Sequence, residues 1–201
     1  DNLDAQIERM MANKRSKNFI NNFAGQWLHA RDIQSVNISS LDVWLRDHPQ
    51  PEMMATKKAY SIVREIPKNK RTPEQQATYT RTRAIMRKLY DNDRPELKSP
   101  LQRAMREETE LYFDHVIRED RSLKELLDSN YTFLNDRLAT HYNIDGIKGS
   151  KMRKVTLAPG SPRGGVLTQG TILAYTSNPT RTSPVKRGVF ILENILGTPP
   201  A

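Results

Sequence analysis

A mainly α, multi-helical chain with at most a short strand or hairpin near residues 152–157 is predicted by three observations. Apolar residues recur at helical spacing along most of the 201 residues. A hydroxyl residue followed by proline opens three of the later stripes, at Thr72-Pro73, Ser99-Pro100 and Ser183-Pro184. There the hydroxyl can accept from an orphan helix N–H, while proline has none to lose. The third observation is that the one strand candidate, Met152–Leu157, lies inside the Gly- and Pro-rich stretch 143–162.

Taken in order, Leu3, Ile7, Met10 and Met11 mark a short helix over 3–12. Phe19, Phe23 and Trp27, beside Ile20, Ala24 and Leu28, make one broad stripe over 17–31. Ser16 is its expected N-cap, and Gly25 is expected to admit another helix at close range. Residues 37–98 differ from their flanks: proline and basic residues are frequent and the stripes are weaker, so they are read as a basic insertion. Within it Thr72 starts a helix to about Tyr90, with Glu74 in the first turn. Ser99 starts one to about Arg118, with Leu101, Met105, Tyr112 and Val116 inward.

Two short helices are expected over 122–127 and 132–142, broken at Asn130-Tyr131, with Thr132 capping the second. A helix follows over Gly165–Tyr175. The last runs from Ser183 to Leu196 and stops at Gly197 and Pro199-Pro200. The division this gives is a helical region 1–142, carrying the insertion, and a region 143–201 of basic loop plus two C-terminal helices, packed together as one unit.

Charge is unevenly spread. The formal net charge is +9. Residues 97–145 hold ten acidic against seven basic groups. Residues 146–192 hold eight basic groups (Lys148, Lys151, Arg153, Lys154, Arg163, Arg181, Lys186, Arg187) and no carboxylate. Such a stretch projects a positive field unless the fold covers it with acidic groups. Its only aromatics are Tyr175 and Phe190, too few for the interleaved rings that stack nucleic-acid bases. The absence of cysteine excludes disulfides, thiolate metal sites, a cysteine nucleophile and covalent haem attachment. No apolar run approaches the 18 residues of a membrane span.

Phosphate-binding glycine loops, the dinucleotide fingerprint, Gly-x-Ser-x-Gly and His-Glu-x-x-His are all missing. His115 shares a helical face with Glu108 and Glu119, which reads first as a solvated acidic face and only second as a metal site; no metal site is assigned. His141 ends a helix, where its charge suits the dipole. The densest polar constellation is C-terminal. Arg163-Gly164-Gly165 opens one helix and Arg181 to Gly188 the next, so Arg163, Arg181, Ser183, Lys186 and Arg187 form either an anion site or a structural clamp. Arg163, Arg181 and Arg187 are expected to converge. Tyr131, Asn135 and His141 are the candidate cleft residues, with buried hydrogen-bonding roles as the plainer expectation for Tyr131 and Asn135. Catalytic residues are not assignable.

Several segments resemble a known pair of domains. They are Phe23–Leu28 (FAGQWL), Met105–Glu110 (MREETE), Leu127–Leu138 (LDSNYTFLNDRL), His141-Tyr142, Arg163–Gln169 (RGGVLTQ), Thr176–Gly188 (TSNPTRTSPVKRG), Leu192–Asn194 and Leu196–Pro200. Together they resemble the adjacent domains of unknown function numbered fifteen ninety-two and fifteen eighty-eight, typical of large planctomycete proteins. The resemblance covers about 16–36 and 99–201, and residues 37–98 are longer than the usual connection. It implies a secreted or periplasmic multidomain protein whose companion domains often include a c-type cytochrome. A c-type haem would then belong to a neighbouring domain or subunit, since this chain has no cofactor motif of its own. The pattern starts midway and stops where relatives continue, so a fragment or processed subunit of something larger is expected.

The leading functional expectation is an accessory or interaction module that holds other domains or subunits, or an acidic or anionic partner, through its basic C-terminal region. The alternative is part of an oxidoreductase or an enzyme acting on an anionic glycan, with the Arg cluster as clamp. Nucleic-acid binding is the weakest of the three.

Overall fold

The structure is a computed structural model that describes residues 2–91 and 99–200. In chain order the helices are α1 (Asn2–Ala12), α2 (Ser16–Trp27), α3 (Ser40–Asp47), α4 (Pro51–Glu65), α5 (Pro73–Asp91) and α6 (Ser99–Arg118). Strand β1 (Tyr131–Leu134), helix α7 (Asp136–Tyr142) and strand β2 (Arg153–Thr156) follow. After them come α8 (Gly170–Tyr175), the minimal strands β3 (Ser177–Asn178) and β4 (Arg181–Thr182), and α9 (Pro184–Phe190). The fold is mainly α, with two small antiparallel strand pairs, β1–β2 and β3–β4.

The chain divides into two compact units, Asp1–Ile38 with Leu97–Ala201, and Ser39–Glu96. In the second unit Leu45 and Met86 form a small core with Trp44, Met53 and Tyr60 against it. Tyr60 stacks on Tyr79, and Arg71 lies 3.9 Å over the Tyr79 ring. Thr72 starts α5 as the sequence predicts: its Oγ1 accepts from the Gln75 N–H, and its own N–H donates to Gln75 Oε1. The far edge of the 37–98 segment lies outside the described residues, as does the side chain of Ser99.

In the first unit α6 is the axis. One face, through Tyr112, Phe113 and Val116, packs with Ile20 and Ala24 of α2, and with Leu28, Val166, Ile172 and Phe190. The other, through Leu101, Ala104 and Met105, packs with Leu134, Leu138, Ala139 and Met152. The indole N–H of Trp27 donates to the Asn194 carbonyl at 2.6 Å, and Asn194 Nδ2 returns a bond to the Trp27 carbonyl at 2.9 Å, tying the C-terminal turn to the end of α2. By contrast α1 buries none of its residues, and Phe19 of α2 is exposed.

Five local expectations are corrected. Thr132–Leu134 does not start a helix: Tyr131–Leu134 is a strand, buried at three of its four positions, and pairs in register with Arg153–Thr156. The cap of α7 is therefore Asn135, whose Oδ1 accepts from the Leu138 N–H at 3.0 Å, while Thr132 serves elsewhere. Ser16 caps nothing; its hydroxyl donates to the Met11 carbonyl. A Cβ on Gly25 would meet only the Arg31 side chain, at ordinary contact, so no close helix approach depends on it. The 165–175 helix is shortened to a 3₁₀ turn, Val166–Thr168, followed by α8. Ser183 does cap α9, accepting from the Lys186 N–H, and the chain continues in a π turn, Ile191–Ile195, up to Leu196.

Candidate functional site

A buried polar seam runs between α6, the β1–α7 segment and the 163–171 segment. Glu108 sits on the inner face of α6, three residues after Met105 and four before Tyr112, and is 1% exposed. The expectation of a solvated acidic face is therefore wrong at this residue. Thr132 Oγ1 donates to Glu108 Oε1 at 2.6 Å, and the Tyr142 hydroxyl donates to Oε2 at 2.6 Å. The same hydroxyl accepts the Gly170 N–H at 2.7 Å. Burial pushes the Glu108 carboxyl up to about 7, against the pull of the two hydroxyl donors and of Arg163. Burial and the facing carboxylate likewise raise the Tyr142 phenol well above its ordinary value. Beside them Thr109 Oγ1 donates to Gln169 Oε1 at 2.8 Å, whereas buried Gln169 Nε2 and Thr171 Oγ1 have no partner among the described residues. The seam can hold a proton at Glu108, but so buried a group does not reach a substrate.

Arg163 closes the outer end of this seam. Its guanidinium lies 3.5 Å over the Tyr142 ring and Nη1 donates to the Thr168 carbonyl at 2.9 Å. The two glycines after it are required by close approach. A Cβ on Gly164 would strike the Ser129 carbonyl oxygen. On Gly165, at φ +72°, it would collide with the Leu127 carbonyl. The other arginines meet different partners. Arg187 Nε donates to Thr176 Oγ1 at 3.3 Å, and Arg181 is exposed on β4, opposite Asn178. Arg163 and Arg187 thus share no hydrogen-bond partner.

Lys186 is exposed and lines a cleft of about 400 Å³ with His29, Tyr175 and Glu193. His29 there holds a left-handed conformation, φ 52°, uncommon outside glycine. Its ring stacks on Tyr175 at 4.3 Å, and Nδ1 lies 2.9 Å from Asp32 Oδ2. Spacing gave no sign of this pairing, because Tyr175 is 146 positions further along the sequence.

The candidate cleft residues serve other ends. Tyr131 is buried and donates to Glu125 Oε2 at 2.8 Å; Asn135 caps α7 and donates to the Ser150 carbonyl. His141 is exposed, with desolvation and then the Arg163 charge holding it below the usual imidazole range. A cleft of about 450 Å³ does open nearby, between Tyr142–Asp145 and Thr156–Arg163. Lys154 lies 4.0 Å over the Tyr131 ring, its Nζ 2.7 Å from His115 Nε2. Burial and then Lys154 hold His115 below its ordinary value.

Most of the basic run stays exposed. Lys148, Lys151, Arg153, Lys154, Arg181 and Lys186 are exposed, Arg163 and Arg187 half-buried. None of the eight forms an ion pair with a described carboxylate; Glu110 and Asp114 of α6 pair instead with basic residues of their own helix, Arg106 and Arg118. Among the described residues no group of three or more His, Asp or Glu is placed to hold a metal ion, and no helix is long and apolar enough to cross a membrane.

Comparison with known proteins identifies two family segments. The family described as protein of unknown function (DUF1592) matches residues 1–80 and 47–144, and that described as protein of unknown function (DUF1588) matches residues 163–201. The two DUF1592 matches run through residues 37–98. No curated protein and no solved structure matches. Glu108, Thr132 and Tyr142 lie in the first family segment, and Arg163, Gln169 and Gly170 in the second, so the buried seam is where the two segments meet. The chain belongs to the DUF1592 family, and a DUF1588 segment follows at 163–201, within the first compact unit.

Proposed function

We propose that this chain is a non-catalytic accessory module of a larger secreted or periplasmic, cytochrome-associated protein, and that it holds acidic neighbouring domains or subunits through its basic C-terminal region. One observation carries the reading: six of the eight basic side chains between residues 146 and 192 are exposed, and none of the eight forms an ion pair with a described carboxylate. Exposed charge left unpaired inside a fold is free to steer and hold a partner of opposite sign. The enzyme alternative draws less support, because Arg163, Arg181 and Arg187 do not meet a common partner. Nucleic-acid binding draws less still, since Phe190 is buried and Tyr175 is stacked on His29.

Titration calorimetry of the full chain with poly-L-glutamate tests the reading. Binding that weakens at least tenfold between 50 and 300 mM salt is expected. No binding at low salt overturns it.

A further inference from the structure

Among the described residues strand β2 has one partner, β1, and no strand pairs along its other edge. The Leu157 N–H is bonded to the Asn130 carbonyl at 2.7 Å, and the register sets Thr156 opposite Tyr131. Alternation along an antiparallel ladder then turns the N–H and C=O of Arg153 and Val155 toward β1, and those of Lys154 and Thr156 away from it. Among the described residues no hydrogen bond engages these four outward groups, and both residues are exposed. The edge is also charged. Arg153 and Lys154 lie on the strand and Lys148 and Lys151 in the loop before it, Arg153 donating to the Lys148 carbonyl. Beside Thr156 opens the cleft of about 450 Å³ whose far wall carries Arg163; Asp145 is the one carboxylate among its described lining residues.

We infer that the open edge of β2 takes up an extended acidic segment of a partner as an added strand, with Lys154 and Thr156 supplying the main-chain bonds and Lys148, Lys151 and Arg153 reading the acidic side chains. The inference rests on the proposed holding role of the basic region and specifies its partner. Edge strands carrying lysine resist pairing with their own copies, because the two edges repel. The same charge admits an acidic strand, and strand addition joins main-chain bonds to charge complementarity. Four outward groups make a short edge, so the charge is needed as well as the ladder.

The test uses the ¹⁵N-labelled full chain and an eight-residue peptide of alternating threonine and glutamate, with a second peptide N-methylated at alternate amides so that charge is kept and the ladder is lost. Strand addition predicts at least tenfold slower amide exchange at Lys154 and Thr156 with the first peptide, and at least tenfold weaker binding of the second. Thr156→Pro removes an outward N–H that β1 does not use, and should weaken the first peptide at least tenfold where Thr156→Ala does not. The two peptides compared on the unaltered chain give the answer even if Thr156→Pro fails to fold. Equal binding of both peptides overturns the added strand and leaves the basic holding surface standing. Binding of neither overturns the holding role itself. Exchange protection at Lys154 and Thr156 that grows with protein concentration, with no peptide present, overturns the inference in favour of a second copy.

Discussion

Replacing Glu108 by glutamine should stabilise this protein, in a way that depends on pH. Glu108 is 1% exposed, and its carboxyl is pushed up to about 7 from the ordinary 4.5. An acid bound more tightly to its proton when folded contributes fully below about 4.5. That contribution is lost as pH rises to about 7 and is flat above it. The interval is worth about 3 kcal/mol. Glutamine copies the protonated acid. Its Oε1 can accept from the Tyr142 hydroxyl, and its Nε2 can donate to Thr132 Oγ1, which lies 2.6 Å from Glu108.

Glu108→Gln should therefore match the parent near pH 4.5 and exceed it by about 3 kcal/mol at pH 9. At about 2–4 °C per kcal/mol for a chain of this size, Tm should rise by about 6–12 °C. His115 and His141, held below their ordinary value, act in the opposite direction: their contribution is lost as pH falls through the imidazole range. The difference between variant and parent cancels them. Thermal melts at pH 4.5, 6, 7.5 and 9 measure it. A variant that follows the parent at every pH, or is the less stable at pH 9, refutes the argument.

The remaining predictions concern the surroundings of the same seam. Gly165→Ala meets both a collision with the Leu127 carbonyl and an adverse φ, and should cost more than about 2 kcal/mol by urea melts. Gly160→Ala, at φ +77° in open space, should cost only about 1 kcal/mol; equal losses would contradict the close approach. Arg163→Met removes a charge that lowers the Glu108 pKa, so carboxyl ¹³C titration should place Glu108 above about 7. Asn135→Ala should cost about 1 kcal/mol as a lost cap. Thr132→Ala should instead report through Glu108, raising its pKa, because Thr132 donates there and caps nothing.

How far the fold was legible follows from the range of the interactions. Thr72 and Ser183 act within one helical turn, and both cap as their spacing predicts. The inward face of α6 is likewise a local pattern, and Leu101, Met105, Tyr112 and Val116 are all buried. Thr132–Leu134 reads locally as helix because a strand is made by its partner, here 19 to 25 positions along the sequence, and Thr132 passes locally for a cap. Glu108 was hidden by its company: a face shared with His115 and Glu119 suggests solvent, yet the spacing from Met105 to Tyr112 places Glu108 on the dry side. Helix-terminus logic marked Arg163 and Arg187 as needing partners. It could not choose between anion and protein, and the partners are an aromatic ring, a carbonyl and a hydroxyl.

The location of the holding surface is best tested by moving the same loss of charge around the chain. One variant carries Lys148→Ser, Lys151→Ser, Arg153→Ser and Lys154→Ser; the other carries Lys58→Ser, Lys68→Ser, Lys70→Ser and Arg81→Ser. Both lower the net charge by the same amount, in the first and second compact units respectively. With poly-L-glutamate at 50 mM salt, the first variant should bind at least tenfold more weakly than the parent and the second within about twofold of it. Equal weakening of both would mean that net charge alone attracts the polymer, and would contradict a partner-holding surface in the C-terminal region.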